Sequence, residues 1–115
     1  MFNYAVLNAN ECEFFTIAPR EELANGERLF VEINNLPIVI FNISGKLFAI
    51  GDVCSHDDGP LGDGDLEENQ IICPRHGARF DVETGKALTM PAVVDIPAYP
   101  VRVMSGQIEI GIPQD

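Results

Sequence analysis

Apolar residues come in short bursts along this chain, and the bursts are rich in β-branched and aromatic side chains. Arg28-Leu29-Phe30-Val31-Glu32-Ile33 is the first clear one, lying within Glu27 to Asn34, and Asn35 and Pro37 punctuate it. Ile38-Val39-Ile40-Phe41 follows, Asn42-Ile43-Ser44-Gly45-Lys46 turns the chain, and strand character resumes from Lys46 to Ile50. Ile71-Ile72, Ala78 to Val82, Val101 to Met104 and Gln107 to Ile112 read as further strands, with Ser105-Gly106 as the turn between the last two. Runs of this length and composition, separated by Gly, Asn and Ser, mark hairpins. Pro19 to Leu23 allows one helical turn, and no other stretch offers a helix of useful length. There are no internal repeats and no linker-like tract. The predicted fold class is all-β.

The middle breaks this texture. From Gly51 to Gly64 the chain is rich in Gly, Asp, Ser and Pro. A loop this long inside a small domain is usually functional or disordered, and potential metal ligands at both ends of the region favour a functional one.

Size and charge narrow the options. A chain of 115 residues suits one domain with a modest core, which a tightly held cofactor would reinforce. A formal net charge of −11 argues against nucleic acid and anionic membrane surfaces as partners. It fits partners met through acidic patches. No segment approaches the ~18 apolar residues needed to cross a bilayer, and Met1-Phe2-Asn3-Tyr4 lacks a signal peptide's basic and apolar regions. A cytoplasmic protein is expected. Its three cysteines, Cys12, Cys54 and Cys73, do not form a disulfide framework and point to metal chemistry in a reducing compartment. Cys12 stands alone and reads as a small, partly buried hydrophobe.

The chemistry concentrates in two motifs, Cys54-Ser55-His56 and Cys73-Pro74-Arg75-His76-Gly77, with 16 residues from Asp57 to Ile72 between them. Two thiols and two imidazoles in loops are soft and borderline ligands for a transition metal. A structural Cys₂His₂ zinc module is one reading, although zinc ligand pairs are usually spaced by two to four residues and Cys54-x-His56 has one. A catalytic Cys73–His76 pair is another, but it leaves the first motif unexplained.

Cys-x-His, spacer, Cys-x-x-His resembles the ligand pattern of Rieske [2Fe–2S] proteins. The match runs from about Gly45 to Val103 and includes Phe80-Asp81 and Thr84-Gly85-Lys86 after the second motif. The resemblance implies an antiparallel β-sandwich or barrel-like base domain, carrying a small cluster-binding subdomain of two hairpin loops at about residues 51–80. It implies that Cys54 and Cys73 hold the inner iron and His56 and His76 the outer one. An all-cysteine site needs four thiolates, and the chain has three. A [2Fe–2S] core of charge +2 with two thiolates is neutral when oxidised, so reduction is easier than with four, and Rieske potentials span about −150 to +300 mV.

High-potential Rieske proteins carry an extra cysteine in each loop and hydroxyl donors after the second motif. The matching positions here are Gly59 (or a neighbour) and Arg75, and Ala78 and Phe80. A potential of about −150 mV is therefore expected. Gly59, Gly62, Gly64 and Gly77 are expected to bring backbone N–H groups to the cluster. Pro60, and Pro91 within Thr89-Met90-Pro91-Ala92, are expected to shield it. Asp57 and Asp58 either solvate the loop or meet a basic partner, and Arg75 and Arg79 pair with nearby acids.

The resemblance implies a soluble one-electron carrier, not an enzyme by itself. It would pass electrons from a flavin-dependent ferredoxin reductase to the terminal oxygenase of an aromatic-ring-hydroxylating dioxygenase system, with electrons leaving through His56 and His76. A small subunit of an assimilatory nitrite reductase is the alternative within the fold.

Overall fold

A computed structural model describes residues 11–90 and 94–113 of the chain. Ten strands run in chain order: β1 (Cys12–Pro19), β2 (Arg28–Ile33), β3 (Leu36–Ile43), β4 (Lys46–Gly51), β5 (Leu66–Glu67), β6 (Gln70–Ile72), β7 (Arg79–Asp81), β8 (Ala98–Tyr99), β9 (Val101–Met104) and β10 (Gln107–Pro113). The predicted helical turn is a single 3₁₀ turn, Arg20–Glu22. Among the described residues no helix is long and apolar enough to cross a membrane.

The strands form three antiparallel sheets, in the orders β1-β10-β9, β2-β3-β4-β8 and β5-β6-β7. Three two-residue turns set the registers. Asn34-Asn35, Ser44-Gly45 and Ser105-Gly106 all have positive φ at both positions, the geometry that matches strand twist. Pro37 does not punctuate but lies inside β3. It sits one residue beyond the last β3–β4 pair, Ile38↔Gly51, so its missing N–H costs no ladder bond there.

β3 is buried on both faces, which is why Ile38 to Phe41 is a continuous apolar run. Ile38 and Ile40 enter a core shared with Ile33, Ala49, Tyr99 and Ile108, Ile110 and Ile112 of β10. Val39 and Phe41, pointing the other way, enter a second core with Ile50, Leu61, Ile71, Phe80, Val82 and Ile96. Cys54 and Cys73 belong to that second core. The β2-β3-β4-β8 sheet is thus one wall with a core on either side.

Candidate metal centre

Both motifs adopt the same backbone turn despite their different spacing. In the first loop the Cys54 N–H donates to the Gly59 carbonyl at 2.8 Å and the Asp58 N–H donates to the Cys54 carbonyl at 2.7 Å. In the second the Cys73 N–H donates to the Ala78 carbonyl at 2.7 Å and the Gly77 N–H to the Cys73 carbonyl at 3.0 Å. Each loop has a left-handed residue at its fifth position, Asp58 (φ 61) and Gly77 (φ 77). Asp is one of the few residues other than Gly that adopts this conformation readily. The second loop closes the β6–β7 hairpin, where Ile72 pairs with Arg79. The first lies on the connection from β4 to β5, which passes between sheets.

The long connection is pinned from both sides. Asp52 accepts from the backbone N–H groups of Leu61 (2.9 Å) and Gly62 (2.6 Å) with one carboxylate oxygen. Arg28, reaching from β2, donates to the carbonyls of Gly62 and of Gly64, the latter at 2.8 Å. At Gly64 a Cβ atom would fall 1.8 Å from the Ile72 carbonyl oxygen, so only glycine lets the connection pass the strand leading into the second motif. The Ser55 hydroxyl donates to the Val94 carbonyl, tying the first loop to the segment after β7. Nothing in the sequence marks Asp52, Arg28 or the Ser55 hydroxyl for these roles, because their partners are backbone atoms distant along the chain.

The four predicted ligands come together. Cys54 is 0% exposed and Cys73 2%, whereas both histidines are exposed and the His76 side chain retains 51% of its accessible surface. The imidazole centroids are 4.9 Å apart with ring planes at 88°. Candidate ligand atoms fall into two triplets, each within 4.8 Å: Cys54, Asp57 and Cys73, and His56, Asp57 and His76. Burial pushes the Cys54 thiol above its usual pKa, while the backbone N–H groups of His56 and Asp57 pull it back. Those N–H groups would stabilise a bound thiolate sulfur.

This donor set fits a two-iron cluster better than one zinc ion. Zn–S and Zn–N bonds of about 2.3 and 2.0–2.1 Å would draw all four ligand atoms into one group. Here the thiols form an inner pair and the imidazoles an outer pair. Asp57, common to both triplets, is already engaged. Arg75 Nε and an Nη donate to its two oxygens at 2.6 and 2.9 Å, and the Gly59 N–H donates at 2.9 Å. The Arg75 guanidinium, and then the Gly59 N–H, hold the Asp57 carboxyl well below the usual carboxylate range.

The chain belongs to the Rieske [2Fe–2S] domain family, whose model matches residues 13–100. The cofactor is therefore one Rieske-type [2Fe–2S] cluster. The 3-phenylpropionate/cinnamic acid dioxygenase ferredoxin subunit of Escherichia coli (strain K12) is 38% identical over 97 residues, covering 84% of this chain and 91% of that protein. The ferredoxin component of the naphthalene 1,2-dioxygenase/salicylate 5-hydroxylase systems of Ralstonia sp. is 37% identical over 83 residues, covering 72% of this chain and 80% of that one. Among solved structures, the ferredoxin of carbazole 1,9a-dioxygenase from Nocardioides aromaticivorans IC177 superposes with a TM-score of 0.80 at 27% identity, covering 88% of this chain and 98% of that one.

The supporting residues depart in part from expectation. Gly59 lies against the Arg75 guanidinium, and Gly62 against Phe30, Asp52 and Val39, so both answer to packing. Asp57 neither solvates the loop nor stands free for a partner, since Arg75 binds it. Arg79 pairs with Glu67 at 2.9 Å, as expected of it. Of the shielding segment, Thr89 and Met90 are described, with Met90 75% exposed; Pro91 and Ala92 lie outside the described residues.

Proposed function

We propose that this chain is a one-electron carrier whose cluster is held by Cys54 and Cys73 on the inner iron and by His56 and His76 on the outer. The burial gradient across the four side chains carries this reading. Two thiols sealed in a core fix the cofactor, and two exposed imidazoles offer the short path to a partner. When bound, the cluster accepts and gives up one electron. The protein's own residues do the rest. The paired loop turns aim the ligands, and Leu61, Ile71 and Phe80 keep water from the thiol side. We take residues 51–80 as the cluster-binding unit and the remainder as its base.

The carrier's partners are a flavin-dependent ferredoxin reductase and the terminal oxygenase of an aromatic-ring-hydroxylating dioxygenase system, acting in the cytoplasm. Two observations support this. The curated relatives described above are ferredoxin subunits or components of dioxygenase systems, and the ferredoxin of carbazole 1,9a-dioxygenase shares the fold at 27% identity. Exposed Val94, whose carbonyl accepts from the Ser55 hydroxyl, gives the first loop an apolar edge suited to brief docking of small area. We place the potential low, at about −150 mV. Ala78 and Phe80 are both fully buried and bring a methyl and a phenyl group where a hydroxyl donor would raise it.

Purified protein should contain two irons and two acid-labile sulfides per chain, with a low-average-g EPR signal on reduction. It should take one electron from a flavin reductase and give it to a ring-hydroxylating oxygenase in stopped flow. Zinc in place of iron, or reduction without onward transfer, would overturn the assignment. A clearly positive midpoint near neutral pH would overturn the low potential alone.

A further inference from the structure

Each ligand loop is closed by its own backbone hydrogen bonds, and among the described residues no backbone hydrogen bond joins Cys54–Gly59 to Cys73–Ala78. Yet the loops must stand at a fixed separation for four ligands to meet one cofactor. No disulfide links them, since Cys54 and Cys73 are both free thiols. The charged link that does cross is the Asp57–Arg75 pair. Asp57 directly follows His56, and Arg75 directly precedes His76, so the pair spans the loops beside both imidazoles.

Its geometry is specific. The guanidinium is bidentate on the carboxylate, at 2.6 and 2.9 Å, the stronger and more directional form of this interaction. The carboxylate is pre-aimed by the Gly59 N–H at 2.9 Å. The guanidinium lies flat against Gly59, where a Cβ would stand 2.7 Å from its central carbon and from one of its nitrogens. The second carboxylate oxygen is also 3.4 Å from His76 Nδ1. Asp57, Gly59 and Arg75 therefore form one built contact, not a chance surface pair.

We infer that Asp57 and Arg75 are positioning residues, a non-covalent clasp that sets the spacing of the two ligand loops and places a mutually cancelling pair of charges beside the cluster. This rests on the ligand assignment proposed above. Two consequences separate it from an incidental ion pair. Both partners hold the same geometry, so losing either loosens the cluster. Each partner alone carries an uncompensated charge, so the two losses move the midpoint potential in opposite directions.

The test is a double-mutant cycle on the loaded protein. Asp57→Asn and Arg75→Gln should each speed loss of visible cluster absorbance roughly three- to fivefold at low salt. The double variant should be no worse than the poorer single one. The wild-type advantage should shrink as salt is raised. The midpoint should rise in Asp57→Asn, where Arg75 is left alone, and fall in Arg75→Gln, where Asp57 is left alone. Arg75→Lys keeps the charge but loses the fork, and should lose cluster faster at an unchanged midpoint. Should a neutral variant fail to load, Arg75→Lys and thermal unfolding of the same cycle still read the coupling. Additive effects on retention, or midpoints shifted in the same direction, overturn the clasp while a wild type with its cluster leaves the carrier reading intact. A wild type without the cluster overturns both.

Discussion

Replacing Asp52 with alanine removes a single oxygen that two backbone N–H groups share, those of Leu61 and Gly62 at 2.9 and 2.6 Å. Both residues are buried, so little water reaches the orphaned donors. A hydrogen bond to a charged group contributes about 1.5–3 kcal/mol. The two share one acceptor and are not additive, which puts the loss at about 2–3 kcal/mol. A domain near this size shifts by about 4 °C per kcal/mol, so the apparent Tm should fall by about 10 °C. Because Leu61 packs in the core that contains both candidate ligand cysteines, Cys54 and Cys73, cluster absorbance should decay faster at temperatures well below that transition. Asp52→Asn keeps an acceptor oxygen without the charge. Neutral bonds are roughly half as strong, so it should lose about half as much. Asp63→Asn, an exposed acid on the same connection with no hydrogen bond among the described residues, should change nothing. The assay is differential scanning calorimetry alongside the half-life of visible absorbance. Equal behaviour of Asp52→Ala and Asp63→Asn would refute the idea that Asp52 anchors the connection.

Other outcomes follow from the same geometry. Phe80→Tyr should raise the midpoint potential in a redox titration, while Phe80→Leu should not, since only the hydroxyl adds a donor. Asp58→Gly should raise the Tm slightly and Asp58→Val should lower stability by about 1–2 kcal/mol, because φ 61 is strained for a β-branched residue. Ile50→Ala and Ile110→Ala should each cost about 2–5 kcal/mol in chemical denaturation, both being fully buried. Only Ile50→Ala, in the core that holds Cys54 and Cys73, should also shorten the cluster's half-life disproportionately.

The strands that could be read in the sequence are those with a local signature. β2, β3, β4, β9 and β10 have compact apolar runs and two-residue turns whose positive-φ positions are filled by Asn, Ser and Gly. β1 gave no such signal. Phe14-Phe15 breaks the alternation, and a bulge between Thr16 and Ala18 shifts the register, so its strand character depends on β10 nearly a hundred residues away. β5 and β8 are two residues each, too short to show any period. The site divides in the same way. Its four candidate ligands are legible because metal chemistry restricts residue type and spacing. Asp52 and Arg28 are not, because an acid that accepts from backbone N–H groups looks like any surface acid until the chain is folded. Asp57 illustrates the point most sharply. Its neighbour Asp58 is chemically identical in sequence, yet one clamps Arg75 and the other serves a left-handed turn.

A protein of this size ordinarily has one interior, and the middle sheet here gives it two. An electron carrier works fastest when the atoms around its metal barely shift as the charge changes, so that little reorganisation energy opposes the transfer. Val39, Phe41 and Ile50 brace the thiol side, and the residues that alternate with them, Ile38, Ile40 and Ala49, are themselves braced from behind. Close-packed interiors yield little under load. The far compartment, which contains none of the four candidate ligands, thus lies behind the near one like a keel, a second packed layer that leaves the wall between them little room to give.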